Sequence, residues 1–204
     1  MITGVAFDLD GTLWDATNSI WYTWARRLNN TDLSYDLVKS CMGAPASKIA
    51  ASLGVSEEEF TQMQQEELSD IDIVPPRIYE GAQAVLYGLK QRGLQIYIVS
   101  SCQEGYIDKF IEQSGLPRYL FDGCFFDGYP CSNKTDNLRF IRDKLAGTVV
   151  YIGDTERDRQ AAVSTKIPFI HAAYGFGESS WGDWVIEDIR QLPNLLMRWG
   201  YLDV

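Results

Sequence analysis

VAFDLDGTLWD, residues 5–15, is the stretch on which the reading of this chain turns. A short apolar run, Val5-Ala6-Phe7, delivers two aspartates two residues apart, Asp8 and Asp10, and then breaks at once into Gly11-Thr12. Acids are poor strand formers. The pattern is that of a strand that ends in a site.

Working outward, short apolar runs alternate with helical patterns. TGVAFDL (3–9), LQIYIVSS (94–101), FDGCFFDG (121–128), GTVVYIGD (147–154) and IPFIHAAYG (167–175) read as strands, the third the weakest. They are short, rich in β-branched and aromatic residues and bounded by Gly or Pro, as strands buried on both faces are. Between them, Ala82, Val85, Leu86 and Leu89 recur at helical spacing up to Gly93. Tyr106, Phe110 and Ile111 do so up to Gly115 and Pro117, and Leu138, Ile141 and Leu145 follow Thr135-Asp136 up to Gly147. The segment after Asp154 carries Ala161, Ala162 and Val163 in a further helical stretch. Parallel strands need crossover helices, so the alternation predicts a doubly wound α/β sheet.

Residues 16–76 break this rhythm. Ile20, Trp21, Trp24 and Leu28, then Ile49 and Leu53, then Phe60, Met63 and Leu68 are helical in spacing, with no strand pattern among them. The reading is an α/β core of residues 1–14 and 77–204 with a small helical cap, 15–76, inserted after the first strand. Pro75-Pro76 marks the return, because two prolines in series cannot continue a helix. The acidic run EEEFTQMQQEELSDID is expected to be a solvated helix face, and Trp14, Trp21, Tyr22 and Trp24 to be core.

Composition bounds what such a fold does. A chain of 204 residues with 46% hydrophobic content can bury one good core and a small insertion. No apolar stretch is long enough to span a bilayer, and the start of the chain has no basic leader before the aspartates, so a cytoplasmic protein is expected. Cys41, Cys102, Cys124 and Cys131 show no CxxC spacing and only one histidine, His171, accompanies them. Reduced, mostly buried thiols and a structural mid-strand histidine are expected rather than a zinc site. The net charge of −10, with no basic cluster beyond Arg26-Arg27, argues against nucleic acid as a partner. An anionic substrate would need local positive charge, from a metal or from placed Lys and Arg.

In open α/β sheets, ligands bind at the carboxyl ends of the strands. Asp8 and Asp10, Ser100 and Ser101, and Asp154 stand at three such ends, and CSNKTDN places Lys134 just before a helix. Carboxylates crowded together repel unless a cation neutralises them, and a hard oxygen set suits Mg²⁺.

DLDGTLWD, IVSS, NKTDN and GDTERD, in that order, resemble the four motifs of the haloacid dehalogenase superfamily, most closely its phosphoglycolate phosphatase-like branch. SSCQEGYI and AAYGFG add to the likeness, which covers the whole chain. The resemblance implies a phosphoryl-transfer enzyme. Asp8 would be the nucleophile that forms an aspartyl-phosphate, and Asp10 the general acid and then base. Mg²⁺ would be held by Asp8, the main-chain carbonyl of Asp10 and Asp154, with Asp158 orienting these groups from behind. Gly11, Thr12, Ser100, Ser101 and Lys134 would surround the phosphoryl oxygens. The spacing of two suits a strand end, where residues two apart face one side and Gly11 frees Asp10 to swing. In the cap, the loop CMGAPASK (41–48), with Gly43, Ala44 and Lys48, resembles the branch's substrate-specificity loop.

Blander roles compete at each position. Ser100 is placed to cap a helix beginning near Gln103, and Asp154 to cap the next one. Asp158 suits a first helical turn. Lys134, Lys48 and Arg26 suit solvated surface. Departures from the family pattern are Thr135 after the lysine, Ser101 in a place often held by Asn, and Glu80 before Gly81. Asp10 separates the chain from the dehalogenases, which need no leaving-group proton. The cap lysines, Lys39 and Lys48, sit in no phosphonatase-like context. Thr12 favours a phosphatase over a phosphomutase of the β-phosphoglucomutase type, which is the alternative. A catalytically silent binding protein would be expected to have lost one of Asp8, Asp10, Lys134 or Asp154. The expected partner is a small phosphorylated metabolite, and the chain is expected to be a monomer or homodimer.

Overall fold

The computed structural model describes residues 2–177 and 184–198. The chain divides into two compact units. One takes in the chain up to Trp14 and from Ile78 on; the other is Asp15–Arg77. Two-residue strands, β2 (Trp14–Asp15) and β3 (Arg77–Ile78), mark the two crossings of the chain between them. Among the described residues, no helix is long and apolar enough to cross a membrane.

The first unit holds a six-stranded, all-parallel sheet. Its strands are β1 (Ile2–Phe7), β4 (Gln95–Val99), β5 (Gly123–Phe125), β6 (Thr148–Gly153), β7 (Phe169–Ala172) and β8 (Val185–Ile186), in the order β5-β4-β1-β6-β7-β8. Phe7 lies level with Ile98 of β4 on one side and Ile152 of β6 on the other, and all three are fully buried. The chain leaves β1 toward β4 and β5, then returns to β6 and continues outward. The connections therefore reverse direction between β1 and β6, which is where such sheets open a crevice.

The crossovers are α5 (Ala82–Gln91), α6 (Tyr106–Ser114), α7 (Lys134–Lys144) and α8 (Glu156–Thr165), with α9 (Leu192–Arg198) following β8. Leu138 and Ile141 of α7 and Ala161 and Ala162 of α8 pack with Val149 and Tyr151 of β6 in one buried cluster. Burial of a side chain such as Leu138 contributes about 1.5–3 kcal/mol, and here it also seats the helix whose first residue is Lys134.

The strands are shorter than their apolar runs. β1 ends at Phe7, not Leu9, and β5 has three residues because Phe126 turns back to bridge Tyr129. Helix α7 starts at Lys134, earlier than Thr135-Asp136 suggested, because Asn133 takes the cap and its side chain accepts from the Asp136 amide at 3.0 Å. β8 and α9 had no expectation attached to them.

The second unit is four helices, α1 (Thr17–Arg27), α2 (Tyr35–Cys41), α3 (Ala46–Leu53) and α4 (Glu57–Asp70). Ser56 and Glu59 form a reciprocal capping box that starts α4. The inner face of α4 is Phe60, Met63, Glu67 and Asp70, so two acids of the acidic run are buried and not solvated. Trp24 donates its indole N–H to Glu67 at 2.7 Å, and Thr23 and Arg26 donate to Asp70 at 2.9 and 2.8 Å. Trp24 is core, as expected, whereas Trp21 and Tyr22 are only half-buried.

Replacing Leu138 by Ala is expected to cost about 2–5 kcal/mol. In a chain of this size each kcal/mol corresponds to roughly 2–4 °C, so thermal melting followed by circular dichroism reads the loss directly.

Candidate active site

Asp8 follows the last residue of β1, and its amide donates to the Ile152 carbonyl at 2.8 Å, which ties it to the neighbouring strand β6. Two residues past Ile152, β6 gives way to Asp154. Thr155, not Asp154, caps α8, and Asp158 completes a capping box with it. The site therefore gathers three buried carboxylates, Asp8, Asp154 and Asp158, each offering an oxygen within 4.8 Å of the others.

One cation answers them. Lys134 is buried, and its Nζ donates to Asp8 Oδ1 at 2.8 Å and to Asp158 Oδ1 at 2.6 Å. It is neither a surface lysine nor a mere flank of a cap. Asp158 is fully engaged: Tyr151 also donates to Oδ1 at 2.9 Å, and the Thr155 amide and hydroxyl both donate to Oδ2. Burial alone would raise the Asp158 pKa, but the Lys134 charge and these hydrogen bonds outweigh it and hold the group below the ordinary carboxylate value. The same two carboxylates outweigh burial at Lys134 and hold it protonated.

That leaves surplus negative charge on Asp8 and Asp154. Burial, then the neighbouring Asp158, pushes Asp8 well above its usual range despite Lys134, and pushes Asp154 up to about 7. Asp154 Oδ2 accepts from the Phe176 amide at 2.8 Å, whereas Oδ1 is buried with no partner, alone among the carboxylate oxygens of the described residues in this. An orphaned anionic oxygen beside a second under-neutralised carboxylate, in an all-oxygen donor set, fits a hard divalent cation.

The loops are shaped around Asp154. Gly11 has φ +79°, and a Cβ there would lie 2.1 Å from Asp154 Oδ2. A Cβ on Gly175 would lie 2.3 Å from the Asp154 Cβ and 2.4 Å from the Gly11 carbonyl oxygen. No other residue fits either position without moving the acid. His171, buried in β7 as expected of a structural histidine, places Nε2 3.1 Å from the Asp154 carbonyl oxygen. Tyr174 donates to the Thr12 carbonyl at 2.8 Å. Thr12 is buried, and its hydroxyl has no partner.

The remaining positions are distributed as follows. Asp10 is half-buried, outside the carboxylate cluster, and its Oδ1 accepts from Trp14 Nε1 and Tyr106 hydroxyl, both at 2.9 Å. Ser100 is buried, and its amide donates to the Phe125 carbonyl at 3.0 Å. It caps no helix, since α6 begins at Tyr106 behind Gly105. Ser101 hydrogen-bonds Asp127, an acid past the end of β5 that the sequence reading passed over. Of the cysteines, Cys41, Cys102 and Cys124 are buried and Cys131 is partly exposed, all four unpaired. Gly43, Ala44 and Lys48 belong to the other unit, where Gly43 has φ +69° and Lys48 is an exposed residue of α3. Arg26 pairs with Glu66 and Asp70 of its own unit.

Residues 5–172 match the family model for haloacid dehalogenase-like hydrolases. The chain belongs to that family. The chain is similar to the phosphoglycolate phosphatase of Synechococcus elongatus, 26% identical over 213 residues, covering 95% of this chain and 98% of that protein. The tyrosine-protein kinase PtkA of Mycobacterium tuberculosis is 25% identical over 189 residues, and the match spans 65% of its length and 88% of this chain. Solved structures share the fold, and two serve as examples. A predicted phosphoglycolate phosphatase from Haemophilus somnus has a TM-score of 0.82 at 18% identity, covering 95% of this chain and 97% of its own. A predicted phosphatase from Clostridium acetobutylicum has a TM-score of 0.80 at 22% identity, covering 97% and 100%.

The raised value at Asp154 carries a sign. A folded carboxyl that holds its proton longer than the unfolded one loses stability as pH rises. In EDTA, the melting temperature of wild type relative to Asp154→Asn is expected to fall by several degrees from the ordinary carboxylate value of 3.8 to about 7. Added Mg²⁺ is expected to restore most of that difference at the upper end and little at the lower, as read by differential scanning fluorimetry at fixed ionic strength.

Proposed function

We propose that this chain is a Mg²⁺-dependent phosphatase that hydrolyses a small phosphorylated metabolite of the phosphoglycolate or sugar phosphate kind through an aspartyl-phosphate. The observation that carries the reading is the pairing of Asp8 with Lys134 beside the unpartnered Asp154 Oδ1. Family membership supports it, and so does the likeness to the phosphoglycolate phosphatase of Synechococcus elongatus along nearly the full length of both chains.

In this reading Asp8 attacks the phosphorus. The bond to the leaving oxygen breaks with its electron pair, and Asp10 gives that oxygen a proton. Water then attacks the phosphorus of the aspartyl-phosphate and passes a proton to Asp10. The bond to Asp8 breaks, which returns the carboxylate and releases inorganic phosphate. Asp8 is held for this by Lys134, whose own position is pinned by Asp158. The Ser100 hydroxyl and the Gly11-Thr12 loop serve the equatorial phosphoryl oxygens, where positioning and charge neutralisation do most of the catalysis. Asp8, Asp154 and the main-chain carbonyl of Asp10 would hold Mg²⁺, which supplies the positive charge that Lys134 alone does not and so lets an anionic ester approach. The cap loop with Gly43, Ala44 and Lys48 is assigned to substrate selection.

Release of phosphate from p-nitrophenyl phosphate and from a panel of phosphorylated metabolites, with Mg²⁺ and with EDTA, tests the proposal. Activity is expected with Mg²⁺ only. Asp8→Asn is expected to lower kcat by about a thousandfold or more, and a substantial residual rate would remove Asp8 from the nucleophile's role. Incubation with β-glucose 1-phosphate is expected to yield free phosphate, whereas glucose 6-phosphate would make the protein a mutase.

A further inference from the structure

Asp10 lies outside the carboxylate cluster, held by two aromatic side chains. Its Oδ1 accepts two hydrogen bonds, from the Trp14 indole N–H and from the Tyr106 hydroxyl, each 2.9 Å long. Both donors are buried, Trp14 at 0% exposure and Tyr106 at 2%. Their rings meet edge to face at 5.3 Å, and Trp14 meets Phe110 edge to face at 5.2 Å. The backbone adds its own constraint: the Gly11 amide donates to the Trp14 carbonyl at 2.9 Å and the Trp14 amide to the Leu9 carbonyl at 3.2 Å, so the loop carrying Asp10 closes on the residue that holds it. Tyr106 is the first residue of α6. Neither ring turns away without unpacking the other.

A carboxylate oxygen has two lone-pair sites in the plane of the group. Oδ1 has both filled, by an indole N–H and a phenol O–H. The one proton that Asp10 carries as an acid therefore belongs on Oδ2. Hydrogen bonds to an ionised oxygen are stronger than those to a neutral one, so the two donors favour the state after proton transfer more than the state before it. An interaction that strengthens along the reaction lowers the barrier instead of merely binding substrate.

We propose that Trp14 and Tyr106 are positioning residues for Asp10. They hold Oδ1 so that Oδ2 delivers the proton to the leaving oxygen, and they stabilise the carboxylate that remains. The inference rests on the phosphatase reading. As the phosphorus–oxygen bond breaks, its electron pair goes to the leaving oxygen, which takes the Oδ2 proton. The negative charge left on Asp10 meets the two donors at Oδ1. In the second half-reaction Oδ2 recovers a proton from the attacking water.

The leaving group discriminates this role from a structural one. An alkoxide needs its proton as it departs, whereas p-nitrophenolate does not. Tyr106→Phe keeps the ring against Trp14 and removes only the hydroxyl; Trp14→Phe removes the indole N–H. For each, kcat/KM is measured on the wild type's best alkyl phosphate substrate and on p-nitrophenyl phosphate, with melting curves to confirm folding. A loss of about tenfold or more on the alkyl ester with less than about threefold on the nitrophenyl ester is expected. Equal losses on both esters, or no loss on either, overturn the inference while the phosphatase reading stands. A wild type inert toward every ester fails the phosphatase reading itself, and this inference with it. Should Trp14→Phe not fold, the Tyr106→Phe ratio decides alone.

Discussion

One ammonium group stands between carboxylates that would otherwise expel each other. Lys134 Nζ reaches Asp8 and Asp158 together, and the ends of β1 and β6 and the start of α7 and α8 are arranged so that it can. Buried ions are costly unless paired and hydrogen-bonded. Asp158 meets that condition four times over, through Lys134, Tyr151 and two donors from Thr155. It is the fixed anion against which the lysine is placed. Asp8 receives the other side of the same lysine and is oriented without being fully neutralised. The difference between the two acids comes from their surroundings, since they share the cation.

The sheet topology explains why the surplus charge collects where it does. The connections reverse direction between β1 and β6, so the carboxyl ends of those two strands flank the switch point of the sheet. The loop after β7 closes in from the side: the Phe176 amide takes Asp154 Oδ2, and Gly175 passes too close for any side chain. Oδ1 is left buried and without a partner. A residue with a Cβ at 11 or 175 would push Asp154 away from this position, so the glycines on two separate loops and the orientation of one carboxylate are parts of a single constraint.

Much of this was legible in the residues. Asp8 and Asp154 announce themselves as acids at the ends of apolar strands, where a charge costs stability unless it does something else, and Lys134 stands out in CSNKTDN, just before a helix. The parallel sheet follows from the alternation of apolar runs with helical ones. Burial depth and capping were not legible in the same way. Asp154 and Thr155 are both good cap residues in sequence, and only the backbone decides between them; it chose Thr155, which sent Asp154 into the site. Ser100 precedes a helix, but Gly105 provides its start, so the serine is released from capping. Tyr151 reads as an ordinary strand aromatic, since nothing in a strand pattern says that a phenol will meet an acid seven residues further along the chain. Tyr106 likewise reads as one apolar position of α6, although its hydroxyl ends on Asp10. Aromatic residues with a polar tip are counted as core by periodicity, and their tips carry information that periodicity discards.

The second unit holds a control for this reasoning within the same chain. Glu67 and Asp70 are as buried as Asp8. Burial of an acid therefore does not by itself mark a functional group. Glu67 takes the Trp24 indole N–H, and Asp70 takes a hydroxyl from Thr23 and a guanidinium from Arg26, so α1 and α4 are joined through acids that have hydrogen-bond donors. Asp158 belongs with these matched acids, although it lies in the site. What distinguishes Asp154 is an oxygen that its own protein leaves unmatched. A fold selected only for stability would fill that position with a donor or replace the acid with an apolar residue. Keeping the charge, burying it and shaping glycine loops around it is a cost that makes physical sense only if something from outside the chain completes the set.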